Sequence, residues 1–268
     1  MITKLPFRFI SQKKKKQMHN LFRYFWISLF PFFLMSLLFS SCKKDVAPDV
    51  GYNYYPDRVG KFVIYEVDSI SKDDLLGVND TFKMQLKEII QSVYNDNQGR
   101  PTMRIERYKK FYNPSVSFYS MPWTLKDVWS ATRTNTTLET NEENITYTRM
   151  IFPVRENKNW DGNAPNIFEI WDYEYTSVDA AETINSIAFD SVATVMEINS
   201  SNLVETKYSE AKYAKNVGLV YRRLILLGKQ PINVFDTPPY DDTLGLVAYI
   251  SYSNKAIIYT QQVIAFGN

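Results

Sequence analysis

Residues 52–268 predict an all-β fold: one antiparallel curved sheet, shaped as a half-barrel or barrel, with one or two short helices. Three observations carry that expectation. Apolar and polar residues alternate with a period of two along several segments, which puts one face of a strand on a core and the other in water. Gly, Asn, Asp and Pro cluster between those segments, as tight antiparallel connections require. The region also holds 18 of the chain's 19 Tyr, nine of its 17 Phe and four of its five Trp, side chains that suit half-buried pleated surfaces.

The elements follow in order. Residues 60–70 (GKFVIYEVDSI) are dense in β-branched and aromatic side chains and read as a strand. Residues 81–87 alternate, with Phe82, Met84 and Leu86 on one side and Lys83, Gln85 and Lys87 on the other. The turn-rich run 95–101 (NDNQGRP) leads into Met103 and Ile105 alternating with Arg104 and Glu106, so a hairpin is expected there. A second hairpin is expected across 141–144, joining 123–133 to 145–154. A third joins 244–252 to 256–266 across Ser253-Asn254. Strands also fit 167–175, 192–198 and 217–227, whereas helix is expected only at 179–187 and 208–213. No internal repeat, low-complexity run or long linker divides the region, and its length suits a single domain.

The N-terminal segment has a different character. Residues 1–41 hold seven of the chain's 31 Lys and Arg and no acidic residue. Residues 42–268 therefore carry 24 basic against all 29 acidic residues, a net charge of −5. Residues 24–39 (YFWISLFPFFLMSLLF) are uncharged and follow Arg23 and the run Lys13-Lys14-Lys15-Lys16, the layout of a secretory signal peptide. The stretch ends at Ser40-Ser41-Cys42, followed by Lys43-Lys44. The alternative is a retained transmembrane helix, since 24–42 would just span a bilayer, but Pro31 interrupts it. The expected division is a signal peptide at 1–41 cleaved between Ser41 and Cys42, a tether at 42–51, and the β domain at 52–268. Starting at Met18 in place of Met1 would shorten the signal to an ordinary length.

The small residues Ser40 and Ser41 before Cys42, with Phe39 where Leu is usual, resemble the lipobox of bacterial lipoproteins. There the Cys is acylated and becomes the mature N-terminus. Two further segments, Phe152-Pro153-Val154 with Trp160-Asp161-Gly162-Asn163, and 213–221 (YAKNVGLVY), extend the likeness. Together they resemble a broad set of Bacteroidota outer-membrane lipoproteins that has no assigned activity. The resemblance implies palmitate on Cys42 and a mostly antiparallel, lipid-anchored cell-envelope domain. It implies no reaction. Anchoring is then through N-terminal acyl chains, each buried methylene contributing about 0.8 kcal/mol. An outer-membrane address is expected because Lys43, not Asp, follows Cys42. Asp68-Ser69-Ile70, Asp190-Ser191-Val192 and Asp242-Thr243-Leu244 look like O-glycosylation sites of the same bacteria.

The chemistry open to the body is narrow. The chain's one His (His19) and one Cys (Cys42) leave no imidazole or free thiol in it, which excludes Ser-His-Asp and Cys-His catalysis and the common zinc sites. No phosphate loop or dinucleotide fingerprint is present, and no cofactor is expected. Asp161, Glu169, Asp172 and Glu174 could supply an acid–base pair. Asp236, Asp241 and Asp242, or Asp73-Asp74, could supply oxygen ligands to calcium. Solvated surface charge is the simpler reading of both. The acidic body, with only Lys109-Lys110 and Arg222-Arg223 paired beyond the tether, disfavours nucleic acid. Trp123, Trp129, Trp160 and Trp171 are the candidate stacking platforms for a sugar or other flat ligand, Trp160 foremost because it abuts a polar turn. The reading is a lipid-anchored module, not an enzyme, that binds a glycan or protein ligand. The alternatives are a periplasmic assembly component and, further off, a carboxylate enzyme acting on glycans.

Overall fold

A computed structural model of the chain describes residues 49–229 and 253–268. The chain divides into two compact units, 1–48 and 49–268. The expected signal peptide, Ser41, Cys42 and the strand at 244–252 all lie outside the described residues. The second unit holds its own buried core and begins with Asp49, whose carboxylate accepts from the Gly51 backbone at 2.9 Å and pairs with Lys215 at 3.0 Å.

Twelve strands are described: β1 (Phe62–Asp73), β2 (Val78–Asn95), β3 (Pro101–Phe111), β4 (Thr124–Arg133), β5 (Thr137–Glu142), β6 (Ile145–Ile151), β7 (Asn159–Asp161), β8 (Asp172–Ile184), β9 (Ile187–Ser201), β10 (Glu205–Ala214), β11 (Gly218–Lys229) and β12 (Ser253–Gly267). They form one antiparallel sheet in the order β6-β5-β4-β3-β2-β1-β12-β11-β10-β9-β8-β7. The first six and last six strands are two meanders joined where β1 pairs with β12. The all-β expectation holds, and the sheet is curled into a nearly closed barrel.

Closure brings the two edge strands, β6 and β7, together. Open edges invite non-native pairing, and here backbone and side-chain hydrogen bonds cover them. The Thr148 N–H donates to the Gly162 carbonyl at 2.9 Å, and the Trp160 indole N–H donates to the Thr148 carbonyl at 2.8 Å. Asn166 donates to the Thr146 carbonyl at 2.9 Å. The Tyr175 hydroxyl donates to the Ile151 carbonyl and accepts from the Ile151 N–H, at 2.9 and 3.1 Å.

Five sequence expectations need correction. The strand fitted to 167–175 begins only at Asp172, the residues before it forming a loop, and Ser253-Asn254, expected as a turn, lie within β12, where Ser253 pairs with Lys229. The turn at 141–144 joins β5 to β6, not 123–133 to 145–154, and its Glu143 and Asn144 take the positive φ of 53° and 69° that a two-residue hairpin turn requires. The segment 179–187 is not a helix. Its Ala-Ala-Glu composition suits one, but Asn185 and Ser186 form a similar turn and the flanking residues pair as β8 and β9. Nor is 208–213 helical: Ser209, Ala211 and Tyr213 are buried, while Tyr208, Glu210 and Lys212 between them are only half-buried. That is the period of a strand.

The barrel's interior is apolar at one end. Ile90, Ile105, Ala131, Leu138, Val195 and Ala211 pack there with Tyr54 and Tyr213. A short 3-10 turn (Tyr52–Tyr54) plugs that end, held by Arg133 donating to the Tyr52 and Tyr55 carbonyls at 3.2 and 2.9 Å. The outer face carries charges such as Glu66 and Lys83, paired at 2.9 Å, and Glu182 with Lys212 at 2.7 Å. A lipid-facing barrel has the opposite arrangement, an apolar band outside.

Candidate functional site

Midway along the barrel the interior changes from apolar to charged. Glu88, Arg107 and Gln261 each lie two residues along their strand from a core residue (Ile90, Ile105 and Val263), so the alternation carries them to the same inner face, about 6.6 Å nearer the other end. Glu142 follows Leu138 and Thr140 on the inner face of β5 in the same way. Arg149 and Glu197 arrive differently. Each is the unpaired residue of a β-bulge: Thr148 and Met150 face successive residues of β5, and Met196 and Ile198 face successive residues of β10. A bulge breaks the alternation and re-aims a side chain. Both are buried inside, and there they meet.

Arg149 holds Glu142 by two parallel bonds of 2.9 Å, and its remaining terminal nitrogen donates to Glu197 at 3.1 Å and to the Tyr173 hydroxyl at 2.9 Å. Thr140 donates to Glu142 at 2.8 Å and Ser209 to Glu197 at 2.6 Å. Arg222 bridges the same two carboxylates more loosely, at 3.6 and 3.5 Å. Side-chain exposure runs from 3% for Glu197 to 14% for Arg222, so the cluster is cut off from bulk water. Burial opposes ionisation of Glu142, but Arg149 and Arg222 outweigh it and hold the carboxyl down at about 2. Burial likewise opposes the charge on Arg149, and Glu142 outweighs it, so this guanidinium is held above its ordinary range. Beside this group, Arg107 donates to Glu88 at 2.9 Å and Asp127 at 3.1 Å, with its guanidinium 3.3 Å from the centre of the Trp129 ring.

This charged layer is the floor of a cavity of about 790 Å3 that, among the described residues, occupies the other half of the barrel. Ten of the twelve strands contribute to it, all but β1 and β7. Its walls are mainly apolar, Met84, Leu224 and Leu226 with the rings of Tyr147 and Tyr259, and Lys126, Glu143 and Glu169 also line it. The loop 162–171 adds Trp171, the half-exposed Phe168 and the almost fully exposed Ile167 at the rim. On the other side of the layer lies a pocket of only about 70 Å3, sharing Trp129, Glu142, Arg149 and Arg222 as its boundary.

Hydrogen bonding at the floor is unbalanced. Its carboxylates are all engaged, but among the described residues three buried donors have no partner: Arg222 Nε, Gln261 Nε2 and Trp129 Nε1. Gln261 is 2% exposed, and its oxygen accepts from the Tyr259 hydroxyl at 2.5 Å, which leaves the amide nitrogen as the free end.

No family model and no curated protein matches the chain. Among solved structures it is similar to the crystal structure of a "putative lipoprotein" from Parabacteroides distasonis, with 15% identity and a TM-score of 0.37 over 80% of this chain and 98% of that one.

The candidate tryptophans are divided by the fold. Trp129 and Trp171 line the cavity. Trp160 instead belongs to the β6–β7 closure, half-buried, its ring 5.7 Å from Tyr173 and 4.7 Å from Tyr175. Trp123 sits apart under the Lys110 ammonium, 4.4 Å from its ring centre. The Asp161-Gly162-Asn163 turn is packing: a Cβ on Gly162 would lie 2.3 Å from the Tyr173 ring, and Asn163 is buried, donating to the Glu169 carbonyl at 2.6 Å. Of the acidic candidates, Asp161 accepts from the Asn163 and Trp171 backbones, and Glu169 pairs with Lys207 at 2.6 Å. Asp172 is exposed, and Glu174 lies opposite Asn159 and Met196. Asp73 accepts from the Leu75 and Leu76 backbones, while Asp236, Asp241 and Asp242 lie outside the described residues. Among the described residues no three acidic, His or Cys side chains converge as a metal site. Sequence reading missed the floor itself, Glu142, Arg149, Glu197 and Gln261, although Arg222 drew notice as half of a basic pair.

Proposed function

We propose that the protein is a lipid-anchored binding module of the bacterial cell envelope, which captures a small ligand in the cavity of its barrel and does not transform it. The observation that carries the reading is the cavity: about 790 Å3, with mainly apolar walls and a few convergent polar groups at its floor, the make-up of a small-molecule site. An assembly component would present a broad apolar face without convergent donors. A carboxylate enzyme would need one carboxyl kept protonated near neutrality. Glu142 is held ionised, and one guanidinium grips both Glu142 and Glu197.

The anchor rests on the sequence, with Cys42 acylated after removal of 1–41, and Lys43 next to it favours the outer membrane. Two measurements test the reading together. Cys42→Ala is expected to abolish palmitate labelling and cleavage after Ser41. Native mass spectrometry of the protein purified from its own envelope is expected to show a bound small molecule, which Leu226→Trp, filling the mouth, displaces. If the alanine variant still takes up palmitate, or is still cleaved after Ser41, the anchor is wrong. If Leu226→Trp retains the same adduct, the cavity is not the site.

A further inference from the structure

Resting on the reading of the cavity as a capture site, we infer that its ligand is an uncharged amphiphile: an apolar chain or ring system carrying a neutral head rich in hydrogen-bond acceptors, the chemistry of a glycerol ester. The argument begins with what the floor lacks. Arg222 Nε, Gln261 Nε2 and Trp129 Nε1 are buried N–H groups without partners, and the three residues that carry them line the same cavity. A buried donor left unpaired is costly, so a group that completes it is bound strongly relative to one that cannot. Acceptors are not wanting: Glu142 takes bonds from Arg149 and Thr140, and Glu197 from Arg149 and Ser209. The ligand must therefore bring acceptors, and donors on it gain little.

Charge argues for a neutral head. Arg149 and Arg222 are matched by Glu142 and Glu197 in one set of ion pairs, and Arg107 and Lys126 by Glu88, Asp127 and Glu143 in a second, so the floor has no unmatched positive charge before any ligand enters. A carboxylate or phosphate added to it would be a buried charge without a counter-charge, which is costly in a desolvated site. The walls set the other end of the molecule. From Arg222 to Leu226 the inner face of β11 turns from charged to aliphatic over four residues, about 13 Å. Met84 and Tyr259 face the same space, and Phe168 with Ile167 extends the apolar surface to the rim. A medium-length acyl chain fits with its head down and its tail toward the loop 162–171.

The test uses the chain from residue 42 with Cys42→Ala, which keeps the whole compact unit, and follows tryptophan fluorescence and calorimetry on adding monodecanoylglycerol, decanoic acid or glycerol at pH 7. Monodecanoylglycerol is expected to bind, decanoic acid at least tenfold more weakly, and glycerol not measurably. Gln261→Leu is expected to weaken monodecanoylglycerol about tenfold, the effect of one lost buried hydrogen bond. Trp129→Phe, which keeps a ring beneath Arg107 and removes only the N–H, gives an independent reading of a few-fold loss should Gln261→Leu fold poorly. Decanoic acid binding as tightly as the ester, or neither substitution changing the ester's affinity, overturns the neutral-head assignment. If no amphiphile binds but a different molecule co-purifies and is displaced by Leu226→Trp, this inference falls and the capture reading stands. If Leu226→Trp alters nothing that binds, the capture reading falls as well.

Discussion

Arg149→Met isolates the group on which the barrel's polar layer depends. Methionine approximates the aliphatic length of arginine and removes the charge, leaving Glu142 and Glu197 buried with only Arg222 near them, at 3.6 and 3.5 Å. Breaking a buried ion pair by deleting one partner typically costs about 3–5 kcal/mol. For a domain of this size that is a fall in Tm of roughly 10 °C. Urea unfolding followed by tryptophan fluorescence should show a lower midpoint at unchanged slope.

The pH dependence gives the experiment its sign. In the native protein the folded pKa of Glu142 lies below the unfolded one, so its contribution is complete above about pH 4.5 and fades as pH falls toward 2. Without Arg149 the balance for Glu142 reverses: burial raises the folded pKa, and protonation at pH 4 relieves the buried charge. The deficit of the variant is therefore expected to be largest at pH 7 and to narrow at pH 4. Arg149→Lys keeps a charge but loses the two-pronged grip and should fall between. A loss below about 1 kcal/mol at pH 7, or the same loss at both pH values, would refute the claim that ion pairing within the layer holds this part of the barrel together.

Two further predictions concern the closure. Trp160→Ala is expected to cost about 2–3 kcal/mol, because it removes the indole bond to Thr148 and two ring contacts, whereas Trp123→Ala should cost under about 1 kcal/mol; thermal melts of the pair check the contrast. Tyr175→Phe strips the Ile151 backbone of both its hydroxyl bonds, for an expected loss of about 1–3 kcal/mol and faster amide exchange at Ile151 and Thr148. Unchanged exchange there would mean the edges are held by something else.

Much of the architecture was legible because burial on a strand leaves a period of two. Phe82, Met84 and Leu86 announce β2, and NDNQGRP announces the turn that follows it. The errors were local. At 179–187, intrinsic preference for helix yielded to pairing with the neighbouring strand. At 208–213 the alternation Tyr-Ser-Glu-Ala-Lys-Tyr was present but carried by small and polar residues, so its inner face did not read as apolar.

The site was illegible for a reason that lies in the same alternation. In a barrel whose lumen is packed at one end and hollow at the other, the inner face of a strand is apolar only as far as the packing extends. Beyond that point inward residues turn polar, and a sequence reader takes them for outward ones. Glu88 and Gln261 are two such inward residues. Arg149 and Glu197 are hidden twice, because their bulges also shift the period: in Tyr-Thr-Arg-Met and Val-Met-Glu-Ile the charged residue falls where no alternating pattern places it. The tryptophans drew attention because aromatic rings suggest ligands, yet Trp160 closes the barrel and only Trp129 and Trp171 reach its cavity. A charged residue interrupting a well-patterned strand was the more informative signal. Three of them, Glu142, Arg149 and Glu197, come from strands β5, β6 and β9, and their convergence depends on the closure of the sheet, which no single strand encodes.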